Sequence, residues 1–284
     1  MSKKISLLLF VIAMVASVFF FANASKAGQN ADSVWKNVTI SVKGFSMEEA
    51  QKVRMQEGCP AFTAWIEKEG QTVTDPKLGK SIQTNIVYLS GSSELVLPAE
   101  PVLSTQDENG CLVAAHTAWE LFGSAEVVGQ QIEIDHEICT IRGIVNKPKN
   151  GIYMQVPVSM KNVSFQRITL EEKEIEEGKN FLLRYGVDGT VIRMDYLRSP
   201  KSLTELVPGK WSDFDGWKAN WKLREAGLRY IRKMHKFDIE YYYENQCQMY
   251  VFEMGLGILC ILVASGILEW AVYKYFRKFI STHT

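Results

Sequence analysis

Two long apolar runs bracket the chain, and the pattern between them changes period several times. From Ile5 to about Ala22 the sequence ISLLLFVIAMVASVFFFA carries no charge, and Val251 to Tyr273 is apolar except for Glu253 and Glu269. A helix needs roughly 20 apolar residues to cross the hydrocarbon core, because its backbone polar groups must all be satisfied within the segment. Both runs are therefore predicted as transmembrane helices, over 1–24 and 250–273. Asn23 to Asn30 is small and polar and reads as a short linker. Val34 to Lys43 (VWKNVTISVK) alternates β-branched residues, the mark of a strand. Ser46 and Glu49 have the spacing of a capping box, so a helix is expected from Met47 until Gly58, with Pro60 barring continuation. Phe62–Glu67 and Ile82–Leu89 follow as strands between glycine-containing polar turns.

The most regular stretch is 111–145. Cys111 to Ala115 is a short apolar strand, HTAWELF (116–122) a compact helix, and Gly123 a residue suited to the left-handed turn that ends it. After Gly129, QIEID and ICTIRGIV form a hairpin about Asp135-His136-Glu137. Ser164–Leu170 and Phe181–Met194 suggest further strands. Strand, helix and hairpin in so few residues predict an α+β fold: a mixed or antiparallel sheet with packed short helices. Beyond Pro208 the proline stops, and Trp217, Trp221, Arg224, Leu228, Ile231 and His235 share one helical face. This predicts a long stalk helix over 211–249, with a break near Phe237. It carries Tyr241, Tyr242, Tyr243 and Tyr250 towards the headgroup level, where amphipathic rings collect. The domain between linker and stalk is expected over 25–210, and a tail over 274–284.

Charge fixes the orientation. Lys3 and Lys4 precede the first run; Lys274, Arg277 and Lys278 follow the second. Positive flanks stay cytoplasmic, so a two-pass protein of the cell membrane is expected, with both termini inside and the main domain extracytoplasmic. The first run also fits a cleavable signal peptide, with Ala22-Asn23-Ala24 or Ser25-Lys26-Ala27 as the processing site. Its length favours a retained anchor, and on either reading the middle is exported. Lys plus Arg (32) equals Asp plus Glu (32), which argues against a nucleic-acid surface. The acidic stretch of Glu171, Glu172, Glu174, Glu176 and Glu177 reads as a solvated edge.

Candidate chemistry is sparse. GxxxxGK[ST], GxSxG, HExxH and CxxC are absent, so no ATPase, enzyme activity or cofactor is expected. Cys111, His116, His136 and Cys139 would make a soft metal set only if the hairpin folded back onto the helix. The tight turn at His136 and the buried strand at Cys111 oppose that, and no metal is expected. Cys59, Cys111, Cys139 and Cys247 leave disulfides open, with no pairing legible from spacing. Glu253 and Glu269 lie near the ends of their span, where a carboxylate can reach the interface. Gly255, Gly257, Ala264, Ser265 and Gly266 would let another helix approach closely.

Taken as a unit, GCLVAAHTAWELFGSAEVVGQQIEIDHEICTIRGIV (110–145) resembles the extracytoplasmic core domain of FtsX/MacB-type ABC permeases. The matching positions are Gly110, Cys111, Ala118, Leu121, Phe122, Gly123, Val128, Gly129, Ile132, Ile134, Ile141, Gly143 and Val145, while Cys139 replaces a frequent aromatic. The preceding LGKSIQTNIVYLSGSSELVLP, and the order span, domain, long helix, span, are similar too. The resemblance implies a structural role for the glycines and core residues of the motif. It also implies a separate cytoplasmic ABC ATPase, a further permease subunit and membrane lipid as partners. Such permeases resemble four-span proteins, whereas two spans are legible here, so transport by this chain alone is not expected. The function implied is a non-catalytic membrane subunit of an ABC-type transport or envelope complex, its exported domain binding substrate or partner and passing motion to the bilayer. The alternative is a two-span adapter or sensor that binds an envelope partner without transport; an exported enzyme ranks third.

Overall fold

The computed structural model describes residues 3–35, 37–160, 162–171, 175–198 and 203–283. Within them the chain forms two compact units: residues 32–196 with 207–243, and residues 1–31 with 197–206 and 244–284.

The first unit is an α+β structure on a mixed sheet. Strand β1 (Val38–Ser46) leads into helix α2 (Met47–Arg54), which follows α1 (Lys3–Val34) in the chain. The capping box at the start of α2 is complete: Glu49 N donates to Ser46 Oγ at 3.2 Å, and Ser46 N donates to Glu49 at 2.7 Å. Strands β2 (Phe62–Thr74) and β3 (Ser81–Ser90) form a long hairpin, followed by the short helix α3 (Ser93–Val96). The motif segment supplies β4 (Gly110–Ala114), α4 (Ala115–Phe122), β5 (Gln131–Ile134) and β6 (Glu137–Val145). Asp135 and His136 both have positive φ (48° and 69°), the geometry that a two-residue turn requires if the hairpin is to keep its twist. Then come β7 (Ile152–Gln155), β8 (Ser164–Leu170), α5 (Ile175–Tyr185) and β9 (Gly189–Ile192).

Pairing runs β3-β7-β4-β6-β5-β2-β8-β1-β9, with β2 also paired to β3, so the first six strands close on themselves and β8, β1 and β9 extend the sheet from β2. Ile86, Tyr88, Cys111, Val113, Ile132, Ile141 and Met154 fill the closed part together with Ala118 and Leu121 of α4. A second core joins β1, β2 and β8 to Ala50 and Val53 of α2 and Phe181 of α5. The other side chains of these strands, Trp65, Val87, Leu89, Leu112 and Tyr153, make a third core with Val34, Phe237 and Ile239. Strand alternation thus gives the sheet two apolar faces, each with its own helical cover.

The second unit holds most of α1, the short helix α6 (Leu203–Leu206) and the greater part of α8 (Asp238–His283). Stretches of α1 and α8 are long and apolar enough to cross a membrane. Phe21 lies against Gly257, Tyr250 against Gly28, and Asn30 Nδ2 donates to Gln246 Oε1 at 3.3 Å. These pairs run in opposite directions along the two helices, so the packing is antiparallel and the Ile5 and Tyr273 ends lie together. A glycine at each close contact lets the facing ring sit against backbone.

Several expectations need correction. The stretch 23–34 is the last part of α1 rather than a linker and the start of a strand. Nothing in it breaks a helix strongly, and Ala24, Ala27 and Ala31 give it a buried small-residue face. The stretch from Phe181 begins as helix: Ile175, Gly178 and Phe181 repeat at three-residue spacing, and Gly186 (φ 64°) marks the end before β9 starts at Gly189. The apolar run FLLRY had masked that period. The break expected near Phe237 is present: α7 (Phe214–Lys233) and α8 are separated at residues 234–237, and α8 then runs on unbroken from the stalk into the apolar run. Glu172, Lys173 and Glu174 lie outside the described residues.

Candidate functional site

Where α8 begins, a set of charged side chains is buried between the helix and the sheet. Arg167 stands on β8 and faces the same side as Thr169, whose hydroxyl accepts from Trp65 Nε1 at 2.9 Å. Its guanidinium is 4% exposed and the carboxylate of Glu240, in the first turn of α8, is fully buried. Arg167 Nε donates to Glu240 Oε1 at 2.6 Å and Nη2 donates to Oε2 at 2.9 Å, a bidentate pair. Nη2 also donates to His235 O at 2.8 Å, and Nη1 to Ser41 Oγ (3.3 Å) and Gln166 O (3.1 Å). All five N–H bonds of the guanidinium are thereby used, which is what makes so complete a burial tolerable. The guanidinium also lies over the Phe237 ring, 4.8 Å from its centroid, and that ring packs on Trp65.

Glu240 does a second job. Its Oε2 accepts from Phe237 N at 2.9 Å, so the residue capping α8 is held by the carboxylate that holds Arg167. The next amide is held from the sheet: Asp238 N donates to Glu67 Oε2 of β2 at 2.8 Å. Asn85 of β3 donates through Nδ2 to Glu67 Oε1 (2.7 Å) and to Asp238 Oδ2 (2.9 Å). Three strands therefore grip one helix N-terminus. Burial raises the Glu67 carboxyl to about 8, and the nearby Asp238 carboxylate pushes the same way; the hydrogen bonds from Asp238 N and Asn85 oppose but do not win. This arrangement fixes the root of an apolar helix to a sheet.

The motif residues lie elsewhere and play packing roles. Cys111, Ala118 and Leu121 share the first core and Phe122 packs against it. Gly123 and Gly129 have φ of 71° and 87°, and Gly129 N donates to Ile141 O at 2.8 Å. A Cβ on Gly110 would meet the Asp107 carboxylate, and one on Gly143 would meet Pro101 at 2.8 Å. The thiols of Cys111 and Cys139 are buried and raised by that burial, Cys139 to about 11, so both stay protonated. His116 and His136 instead sit at the surface beside Glu120 (3.7 Å) and Glu133 (3.3 Å). Tyr250 packs on Gly28, while Lys274 and Arg277 project from α8 near its end. The side chains of Lys3, Lys4 and Lys278 lie outside the described residues. Gly257 is occupied by Phe21 of the chain's own α1, and one carboxylate oxygen of Glu253 is buried without a hydrogen bond among the described residues.

Sequence reasoning missed Arg167, Glu240, Glu67, Asn85 and Asp238. One clue was present: Trp65 and Glu67, two apart on a strand, must share a face. Where that face is apolar, a glutamate on it needs a partner. The partner itself, on a helix 171 residues further along, gives no local trace.

No family model matches the chain, and no curated protein matches it. Among solved structures it is similar to the periplasmic region of MacB from Actinobacillus actinomycetemcomitans, at 13% identity and a TM-score of 0.44, covering 65% of this chain and 99% of that one. It is also similar to the extracellular domain of the noncanonic ABC-type transporter YknZ from Gram-positive bacteria, at 11% identity and a TM-score of 0.41, covering 55% of this chain and 97% of that one.

Proposed function

We propose that this chain is a non-catalytic membrane subunit of an ABC-type transport or envelope complex, whose sheet unit lies outside the cytoplasm and passes force to the bilayer through the root of α8. The observation that carries this is the buried bidentate pair between Arg167 and Glu240 at the start of a helix that continues, without interruption, into an apolar run. A helix transmits displacement along its axis only if its end is fixed. Here the fixing groups are a guanidinium with every donor used and two carboxyl groups, of Glu240 and Glu67, on the consecutive amides of Phe237 and Asp238. The antiparallel packing of α1 and α8 supports both chain ends lying on one side, and the exposed Lys274 and Arg277 favour the cytoplasmic side for them. The 110–145 motif adds the class of partner: a separate cytoplasmic ATPase, working with a further membrane subunit.

Affinity purification of the full chain from gently solubilised membranes tests the reading. Recovery of an ABC ATPase, with ATPase activity that falls in the Arg167→Ala chain, is the expected result. Recovery of an envelope protein with no ATPase would make the chain an adapter and overturn the transport reading.

A further inference from the structure

The amino-terminal half of α7, with Trp211 just before it, carries a row of aromatic rings. Trp211 stacks on Phe214 with centroids 6.4 Å apart, Phe214 lies 5.4 Å from Trp217, and Trp217 lies 6.0 Å from Trp221. Trp211 is 81% exposed, and Phe214 and Trp221 are each 41% exposed. Contiguous aromatic surface of this size is uncommon on a protein facing water. The other half of the helix is docked: Ile231 is buried, and Gly227 lies so close over the Tyr196 ring that a Cβ would stand 2.6 Å from it.

Charge and connectivity say what the row faces. Helix α7 holds six basic residues against two acidic, a net of +4 in a chain whose total is zero. Lys218 and Lys222 follow Trp217 and Trp221 directly and are exposed; they project roughly a quarter-turn round the helix from the rings, so their ammonium groups can reach outward while the rings go in. Before α7, the described residues 197–198 and 203–206 cluster with the two apolar helices. There Arg198 Nη2 donates to Gly28 O at 3.2 Å, level with the Tyr250 ring that marks the outer end of the second span. Four residues separate Leu206 from Trp211, so the five Cα–Cα steps reach at most about 18 Å even when fully extended. The aromatic row is thus leashed to the outer membrane boundary.

We infer that the Trp211–Trp221 face of α7 lies in the outer headgroup layer and binds anionic phospholipid. Tryptophan favours that layer because its ring is apolar and its N–H is polar, and lysines beside it meet lipid phosphates. The inference rests on the two-span reading and deepens it. It gives the sheet unit a second attachment to the bilayer, independent of the α8 root.

The test is tryptophan quenching by brominated lipid, with the full chain in nanodiscs of mixed zwitterionic and anionic phospholipid. It compares wild type with the Trp211→Phe, Trp217→Phe, Trp221→Phe triple variant; Trp270, inside the second span, remains in both as an internal reference. Bromine close to the headgroup should quench the wild type about twofold more than the triple variant, with the excess shrinking in high salt, which screens headgroup attraction. The same excess should shrink in a Lys218→Glu, Lys222→Glu chain whose circular dichroism is unchanged. If Trp270 is quenched by mid-chain bromine but α7 adds nothing, the inference is wrong. Acrylamide then shows what covers the row: quenching means water, and protection means another protein or a second copy. If Trp270 itself escapes lipid bromine, the two-span reading fails as well.

Discussion

Glu67 is the side chain on which solution conditions act most directly. In the unfolded chain its carboxyl titrates near 4.5; in the fold it is raised to about 8. Between those values the folded state keeps a proton that the unfolded state has released, so stability falls as pH rises through this window and levels off above it. A Glu67→Gln chain keeps the side-chain shape but has no proton to lose. Its melting temperature should change less between pH 5 and pH 8 than that of wild type, and equal slopes in the two chains would contradict the assignment. Arg167→Ala leaves Glu240 charged and buried with one partner gone, which costs about 3–5 kcal/mol. Replacing both partners together, as Arg167→Met with Glu240→Leu, should recover much of the lost melting temperature, since the cost lies in the orphaned charge. Gly91 is equally exacting for a steric reason. Its φ is 130°, and a Cβ there would stand 2.6 Å from Thr63 Oγ1 and 2.7 Å from Phe62 O. Gly123, also at positive φ (71°), has open space about it. Gly123→Ala should therefore cost about 1 kcal/mol of backbone strain, and Gly91→Ala clearly more, as read by thermal unfolding of each variant.

At the scale of elements, what was legible in the sequence had local causes. The capping box at Ser46 and Glu49, the 131–145 hairpin and the α4 helix ending at Gly123 each depend on residues within a few positions of one another, and each is present. Strand β7 escaped notice because four residues, IYMQ, show no period of their own; they pair with β3 and β4 only once those strands exist. The buried polar site was illegible for the same reason, as Arg167 and Glu240 are 73 residues apart. On the proposed function, the break after Lys233 would let force on the sheet enter α8 at its own capped end without travelling through α7. A Leu228→Pro chain tests that division. Proline removes a backbone donor and clashes with the preceding turn, so α7 should be disrupted at a cost of about 3 kcal/mol or more. The sheet unit should stay folded by protease resistance. Loss of partner-stimulated ATPase activity would give α7 a part in coupling, through the bilayer contact inferred above, and unchanged activity would leave the α8 root as sufficient.

For the whole molecule, the proposed function asks one antiparallel helix pair to carry, across a membrane, what happens at one sheet unit. That account stands on the sheet unit being outside while both ends of the chain are inside. Lys149 is exposed on the sheet unit and Arg277 lies beyond the second span, so single cysteines there report the two sides, with the native thiols corrected for by the parent chain. The deciding measurement is labelling of intact cells with a membrane-impermeant maleimide. The account predicts that Lys149→Cys reacts at once and Arg277→Cys only after the cytoplasm is opened; the reverse order, or both reacting from outside, would contradict it.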